Sequence, residues 1–243
     1  MKKAFRASRL IGLFGLVLGV MAFGATAAQA ELNAHWNINK MELKSPLLPE
    51  IQAVLENNDG ILLTKVGLSK VELLCTALKL VGAKLHELGR ATGKIHFSGC
   101  ITKLNGTTSA ACVPHSPGAP NGLIETNALK GLIKLHTPAT GPKVPALEVL
   151  PETGEVYVTL ILGKAAPEKN ECAIGEKFDF KGNAFIRDGL GKGETELVTH
   201  LFEVEPTLTK LLYGANPATL DGSANVSLAG APHAGLTWDA IPG

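Results

Sequence analysis

Hydrophobic and polar residues alternate one by one in short runs over much of the chain, and this period of two restricts the fold more than any other feature. Runs of this kind cover 71–77, 83–86, 94–98, 155–162, 177–181 and 223–228. In each run every second side chain is apolar and its neighbours are mostly polar, the pattern of an antiparallel strand with one buried and one wetted face. The sequence therefore predicts an all-β protein.

Turn signals separate these runs at intervals of about ten residues. The segments Asn57–Gly60, Gly89–Gly93, Asn105–Gly106, Pro151–Gly154 and Asp221–Gly222 contain the Asn, Asp, Pro and Gly residues that tight turns favour. Together, runs and turns predict a single domain over residues 31–243, either an antiparallel β-sandwich or a closed barrel, with about ten strands.

The segment Leu48–Leu55 is ambiguous, because its apolar residues also fit the spacing of a short helix. A strand that leads into the Asn57–Gly60 turn is the preferred interpretation.

The first thirty residues have the three parts of a secretory signal peptide. Four basic residues and no acidic one accompany an apolar segment, Leu10–Gly24, and small residues then occupy the cleavage positions in Ala28–Ala30. The apolar segment is shorter than the roughly 20 residues of a membrane-spanning helix. We therefore expect cleavage before Glu31 and a secreted or periplasmic protein.

Charge and hydropathy restrict the classes of molecule that the exported part is expected to bind. It has 243 − 30 = 213 residues, with 22 acidic and 23 − 4 = 19 basic side chains, a net charge of about −3. Nucleic acid is not an expected partner, since its binding needs clustered Lys and Arg. No later apolar run reaches membrane length, so we expect no stable membrane span after signal cleavage. The expected partner is an unknown component of the envelope or the extracellular space.

Four cysteines, Cys75, Cys100, Cys112 and Cys172, lie in the exported part. An even number in an oxidising compartment favours two disulfides, for which three pairings exist. The short polar segment between Cys100 and Cys112 favours that pair, with Cys75–Cys172 joining distant parts of the chain. No closely spaced cysteine pair of the kind that binds zinc is present, so no metal is expected.

The cysteines alternate along the chain with three segments, Gly93–Cys100, Gly122–Gly131 and Phe178–Gly182. Over roughly residues 60–190, this order resembles a family of exported bacterial all-β proteins that is common in actinobacteria and found elsewhere. The resemblance implies export, an all-β fold and two disulfides. It implies no activity and no catalytic residue, because none is assigned to the family.

A histidine pair is the best candidate for a metal site. If residues 79–88 and 94–100 form a hairpin centred on Ala91, His86 lies opposite His96, with Cβ atoms about 4.5–5.5 Å apart. Two lysines, Lys84 and Lys94, lie on the same face and would repel a cation. We therefore expect two solvated histidines and no bound metal.

The remaining histidines form no ligand spacing, and no catalytic motif accompanies them. They are His35, His115, His136, His200 and His233. The glycine-rich segment Gly189–Thr195 lacks the spacing of a phosphate-binding loop and is expected to be a hairpin tip. We therefore expect no cofactor and no catalytic site.

Two tryptophans, Trp36 and Trp238, lie near the two ends of the exported part. They either line a ligand surface or pack the terminal strands together, and the second is the expected role.

These observations favour a non-catalytic binding or structural module of the envelope or extracellular space. Two alternatives remain at this point. One is a small-ligand carrier with a cavity inside a β-barrel, and the other is a secreted hydrolase, which would need a polar cluster that the sequence does not display.

Overall fold

The computed structural model describes residues 34–44, 46–56, 60–136, 144–165, 167–169, 171–174, 177–188 and 196–241. The predicted leader, residues 1–30, and the segment Gly189–Thr195 lie outside these ranges. The described residues form twenty strands and no helix, which confirms the all-β prediction. Within these ranges no helix is long and apolar enough to cross a bilayer.

The strands follow one another along the chain. The first ten are β1 (His35–Ile38), β2 (Met41–Glu42), β3 (Glu50–Leu55), β4 (Gly60–Val66), β5 (Ser69–Cys75), β6 (Ala77–His86), β7 (Arg90–Ser98), β8 (Ile101–Leu104), β9 (Thr107–Thr108) and β10 (Pro114–His115). The next ten are β11 (Ile124–Glu125), β12 (Leu129–His136), β13 (Val144–Pro151), β14 (Val156–Leu162), β15 (Lys177–Asp188), β16 (Thr199–Val204), β17 (Lys210–Tyr213), β18 (Asn216–Asp221), β19 (Ser223–Ala229) and β20 (Trp238–Ile241). The bounds of β3 confirm the strand preferred for Leu48–Leu55.

Eight of these strands close into an antiparallel barrel. The order around it is β3, β6, β7, β12, β13, β15, β16 and β19, and β19 pairs with β3 to complete the ring. The ring is closed between β3 and β6 by a single register pair, Glu50 with Lys84. Of the two architectures that the sequence allowed, the structure therefore has the closed barrel.

A second sheet continues from the barrel in the order β9, β8, β5, β4, β18, β17, β15, β14 and β10. Strand β15 belongs to both sheets. Its first half pairs with β14 and β17, and its second half pairs with β13 and β16. At the crossing Gly182 has φ +116°, and an added Cβ would overlap the main-chain carbonyl oxygen of Lys210. The close approach of β17 thus excludes a side chain at position 182.

The apolar interior is divided between these two parts of the fold. One cluster belongs mainly to the second sheet and includes the buried Leu160, Phe178 and Phe180. The other lies inside the barrel and includes Leu85 and Leu228. Both consist mainly of alternate residues of their strands, as the period of two predicted, with the adjacent Tyr157 and Val158 of β14 as an exception.

A three-stranded sheet of β2, β1 and β20 caps one end of the barrel. The rings of Trp36 and Trp238 are each 1% exposed, their centroids lie 5.8 Å apart, and both pack against the barrel cluster. The indole nitrogen of Trp36 donates a hydrogen bond to the main-chain oxygen of Arg90, at 2.7 Å. The expected role of the tryptophans in packing the terminal strands together is confirmed.

Two disulfides are present, as predicted, but the favoured pairing is wrong. The bonds are Cys75–Cys100 and Cys112–Cys172, in place of Cys100–Cys112 and Cys75–Cys172. Cys75 precedes β6 and Cys100 follows β7, so the β6–β7 hairpin brings the two together. Pairing of β10 with β14 likewise places Cys112 beside the segment that follows β14 and contains Cys172. Strand pairing, and not the length of the intervening segment, decides which cysteines meet.

Candidate functional site

A cavity of about 150 Å³ lies inside the barrel. Residues of all eight barrel strands line it, together with Tyr157 from β14 and Leu220 from β18 of the second sheet. Its wall is almost entirely apolar, because the inward positions of the barrel carry Leu, Ile, Val, Phe, Ala and Gly. Eight-stranded barrels are just wide enough either to be filled by side chains or to hold one small ligand.

Small residues at inward positions account for the unfilled space. Five of the eight strands contribute alanine or glycine to the wall, at Ala53, Ala83, Ala91, Gly131 and Ala224. Larger side chains at these positions would fill the barrel to the density usual for a protein interior. Small inward residues thus leave space inside the barrel that is also lined by β3 and β6, which share a single register pair.

Tyr157 supplies a buried polar group in this apolar wall. The alternation had placed it on the wetted face of β14 with Glu155 and Thr159, and that assignment is wrong, since the side chain is 3% exposed. The register of β14 against β15 shifts between Val156 and Val158, so Tyr157 is an extra, bulged residue. Bulges turn a side chain away from the direction that simple alternation predicts.

The chain holds the bulge at Tyr157 through Asn127. The main-chain nitrogen of Asn127 donates to the carbonyl oxygen of Tyr157 at 3.0 Å, and its Nδ2 donates to that of Val156 at 2.7 Å. No hydrogen-bond partner of the Tyr157 hydroxyl is found in the described part of the chain. Burial raises the pKa of this phenol above its ordinary value, so the group is an O–H donor at physiological pH.

A second buried polar group lies next to the cap. The Nδ1 atom of His200 is 2.6 Å from Oδ2 of Asp188, and its Nε2 atom is 2.6 Å from the carbonyl oxygen of Trp238. Both ring nitrogens are thus engaged by oxygens, and the ring also packs edge-on against the Trp238 indole, with centroids 4.5 Å apart. This geometry joins the barrel to its cap.

In the sequence, His200 is one of the histidines that form no ligand spacing. One feature of the sequence could have identified His200 as a buried residue with a partner, because His200 lies on the same inward face of β16 as Phe202. A polar residue on an apolar face indicates a buried partner. The identity of that partner depends on how β15 and β16 pair, which the alternation does not reveal.

The predicted juxtaposition of His86 and His96 is wrong. The chain reverses over Leu88 and Gly89, which have φ of 58° and 63°, so His86 pairs with Arg90 while His96 pairs with Lys79. The predicted turn, Gly89–Gly93, extends too far along the chain. Gly93, at its end, lies within β7, where the absence of a side chain allows β6 to approach closely. An added Cβ at Gly93 would lie 2.7 Å from the Cα atom of Ala83.

Each of these two histidines has a local partner of its own. The Nε2 atom of His86 lies 2.8 Å from Oγ1 of Thr92, and that of His96 lies 3.5 Å from Oε1 of Glu125. Burial, followed by the charges of Arg90 and Lys84, lowers the pKa of His86. Because their partners differ, the two histidines are separate surface residues and do not form a pair.

The described histidines do not converge elsewhere. His35 is in β1, His115 in β10, and His233 in the turn after β19, while the His136 side chain lies outside the description. Among the described residues, no group of three or more His, Cys, Asp or Glu side chains is arranged to hold a metal ion.

Comparison of the chain with protein-family models, with curated proteins and with solved structures finds no match. The resemblance to the exported bacterial family therefore stays a prediction.

Proposed function

We propose that this chain is an exported, non-catalytic binding protein that holds a small apolar molecule inside its barrel. The observation that carries the proposal is the cavity of about 150 Å³, which is walled by inward-facing side chains from eight strands. Of the functions considered from the sequence, this one combines the binding module with the barrel carrier.

The energetics of an apolar cavity support an occupant. At about 24 cal/mol per Å³, an empty space of this size costs roughly 3–4 kcal/mol of stability. A cavity of similar volume, engineered into another protein and lined by Leu, Ile and Phe, stays dry and binds benzene. A ligand of that kind would recover the dispersion contacts that the wall residues lack.

The location of the protein is part of the proposal. Two disulfides are typical of proteins outside the reducing cytosol. Together with the predicted leader, they support a periplasmic or extracellular site of action, where the bound molecule would be shielded from water.

The hydrogen bonds and the burial of the His200–Asp188 pair favour a binding function over hydrolysis. A general base needs a nitrogen or carboxylate that can take a proton from substrate. Both nitrogens of His200 already face oxygens, and the two side chains are only 4% and 8% exposed beneath the cap. We therefore assign this pair to the cap and include no catalytic step in the proposal.

A thermal-shift experiment with benzene tests the proposal. Purified protein in buffer saturated with benzene should melt at a higher temperature than protein without it, because a ligand that binds only the folded state stabilises it. The variant Ala224→Leu places a larger side chain in the cavity wall and should lose this increase.

The matched control is Ala229→Leu, which makes the same change on the same strand but at a residue that does not line the cavity. It should respond to benzene as the wild type does. No benzene effect on the wild type, or an equal effect on Ala224→Leu, would contradict the proposal. If benzene stabilises the wild type as expected, native mass spectrometry of protein from its natural host identifies the physiological occupant as a discrete added mass.

A further inference from the structure

The wall of the barrel has its fewest main-chain pairs between β3 and β6. Every other pair of neighbouring strands in the ring has at least three residues in register. In the described part of the chain, β3 and β6 share one register pair, Glu50 with Lys84. We call the rest of their boundary, between residues 51–55 of β3 and 77–81 of β6, the seam.

A bulge in β6 accounts for the seam. The register of β6 against β7 shifts between Val81 and Lys84, and Gly82 at this point has φ +60° with open space where a Cβ would lie. Bulges bend a strand and interrupt its pairing. After the bulge, β6 reaches β3, and the Leu85 nitrogen donates a hydrogen bond to the Pro49 oxygen at 2.9 Å. Before the bulge, no residue of β6 is in register with a described residue of β3.

The seam is bounded at both ends. Glu50 and Lys84 close one end. Beyond the other end the chain continues into β4 and β5, which pair from Gly60 and Cys75 onward, and a disulfide holds Cys75 to Cys100. The two strands can therefore separate along the seam while the rest of the ring stays closed.

The seam runs along the cavity. Inward residues from both of its sides line the cavity wall, and they are Ile51, Ala53 and Leu55 of β3 with Leu78 and Leu80 of β6. All five side chains are apolar. A route between the strands thus suits an uncharged apolar molecule and disfavours a charged one, which would lose its hydration on the way.

We propose that the bound molecule enters and leaves the cavity through the seam, by local separation of β3 from β6. This is the part of the barrel wall whose opening breaks the fewest main-chain pairs, and proteins open locally where stabilising contacts are fewest. The inference rests on the proposed binding function and gives the same cavity its route of exchange with the surroundings.

A crosslink across the seam tests this route. The variant Gln52→Cys/Val81→Cys places one thiol on each side, at residues that do not line the cavity. All four native cysteines are in disulfides, so the short bifunctional reagent dibromobimane reacts with the introduced pair alone. The matched control is Gln52→Cys/Ser227→Cys, which links the same residue of β3 to its register partner in β19. For each variant, the reference is the same protein with its thiols blocked by iodoacetamide.

Exchange of fluorobenzene, followed by fluorine NMR, gives the association and dissociation rates. We expect the link across the seam to lower both rates about tenfold or more, because binding that needs a conformational change becomes slower when that change is restrained. The Kd should stay within about twofold, since a blocked route alters both rates alike, and the control link should change neither rate beyond this margin.

A second pair of variants needs no crosslink. Leu80→Ala shortens a side chain that lines both the cavity and the seam, whereas Leu129→Ala shortens a wall residue of β12, which pairs with β7 and β13 on its two sides. Both changes enlarge the cavity. Only Leu80→Ala should raise the association rate, by about threefold or more.

The outcomes separate the route from the binding function. If fluorobenzene binds but linking the seam leaves its rates unchanged, or both links slow it equally, the route is refuted and the binding function stands. Equal association rates in Leu80→Ala and Leu129→Ala would refute the route in the same way. If fluorobenzene does not bind the wild type, the binding function fails, and the route fails with it.

Discussion

The Nδ1 atom of His200 lies 2.6 Å from the Oδ2 atom of Asp188, and this contact joins β16 to β15 on the inside of the barrel. On the outer face of the same two strands, Arg187 pairs with Glu203 at 3.2 Å, and their side chains are 48% and 36% exposed. One pair of strands thus carries a buried and an exposed polar side-chain contact next to each other. Their contributions to stability can be compared directly.

We expect Asp188→Ala to lower the free energy of unfolding by about 3 kcal/mol, because it leaves a buried imidazole nitrogen without an acceptor. The control Glu203→Ala removes an exposed contact and should change it by less than about 1 kcal/mol. Urea unfolding followed by tryptophan fluorescence measures both, since the Trp238 ring packs against His200. Equal losses in the two variants would show that burial adds nothing to the inner contact.

The two disulfides should differ in their effect on stability. Replacing Cys75 and Cys100 by serine opens a loop of 25 residues, and replacing Cys112 and Cys172 opens one of 60. The chain-entropy relation predicts losses of about 3.5 and about 4 kcal/mol. Urea unfolding of the two double variants gives these values, and peptide mapping without reduction identifies the linked fragments. A fragment joining Cys100 to Cys112 would refute the observed pairing.

Gly93 should not tolerate alanine. Its φ of +153° favours glycine, and an added Cβ would lie 2.7 Å from the Cα and Cβ atoms of Ala83 in the neighbouring strand. We expect Gly93→Ala to lower the free energy of unfolding by about 3 kcal/mol, the sum of overpacking and backbone strain. Gly154 has φ +69° and open space around its Cα, so Gly154→Ala should cost only about 1 kcal/mol. A Gly93→Ala variant as stable as Gly154→Ala would contradict the close approach of β6 and β7.

Asp239 should destabilise the fold at neutral pH. Burial and then the charge of Glu196 raise the pKa of its carboxyl, against the partly offsetting effects of His200, Asn37 and His35. Above the raised pKa the folded state carries an unfavourable charge. Below the ordinary value of 3.8 both the folded and the unfolded chain are protonated, and the penalty disappears.

The variant Asp239→Asn should therefore have a higher Tm than the wild type at pH 7.5, and this difference should vanish near pH 3.5. Differential scanning calorimetry at the two pH values measures it, with the exposed Asp221 mutated to Asn as the control for general charge effects. A stabilisation of Asp239→Asn that is equal at both pH values would argue against a titration effect.

The short-range alternation of apolar and polar residues was sufficient to predict the class of fold. Alternation in the segments that became β5, β14 and β19 predicted strands, and the strand interpretation of Leu48–Leu55 is confirmed by β3. Tryptophans near both ends of residues 31–243 also indicated how the terminal strands pack, and the rings of Trp36 and Trp238 are in contact. These features are local or depend on which residues are large and apolar, so a single sequence reveals them.

The candidate site could not be predicted in the same way. Cys75 meets Cys100, His96 faces Lys79, and Asp188 meets His200 because of the register between strands that the alternation leaves undetermined. A shift of one residue in register exchanges the two faces of a strand. Tyr157 shows this most directly, since one bulged residue moves it from the predicted wetted face into the cavity wall.

The sequence by itself determined that this chain forms β-strands with one apolar face, because the period of two is a property of neighbouring residues. Only the tertiary structure decided that eight strands close into a ring and that their small inward residues line a cavity. The physical reason is that closure, register and bulges arise from hydrogen bonds and packing between residues far apart in the chain.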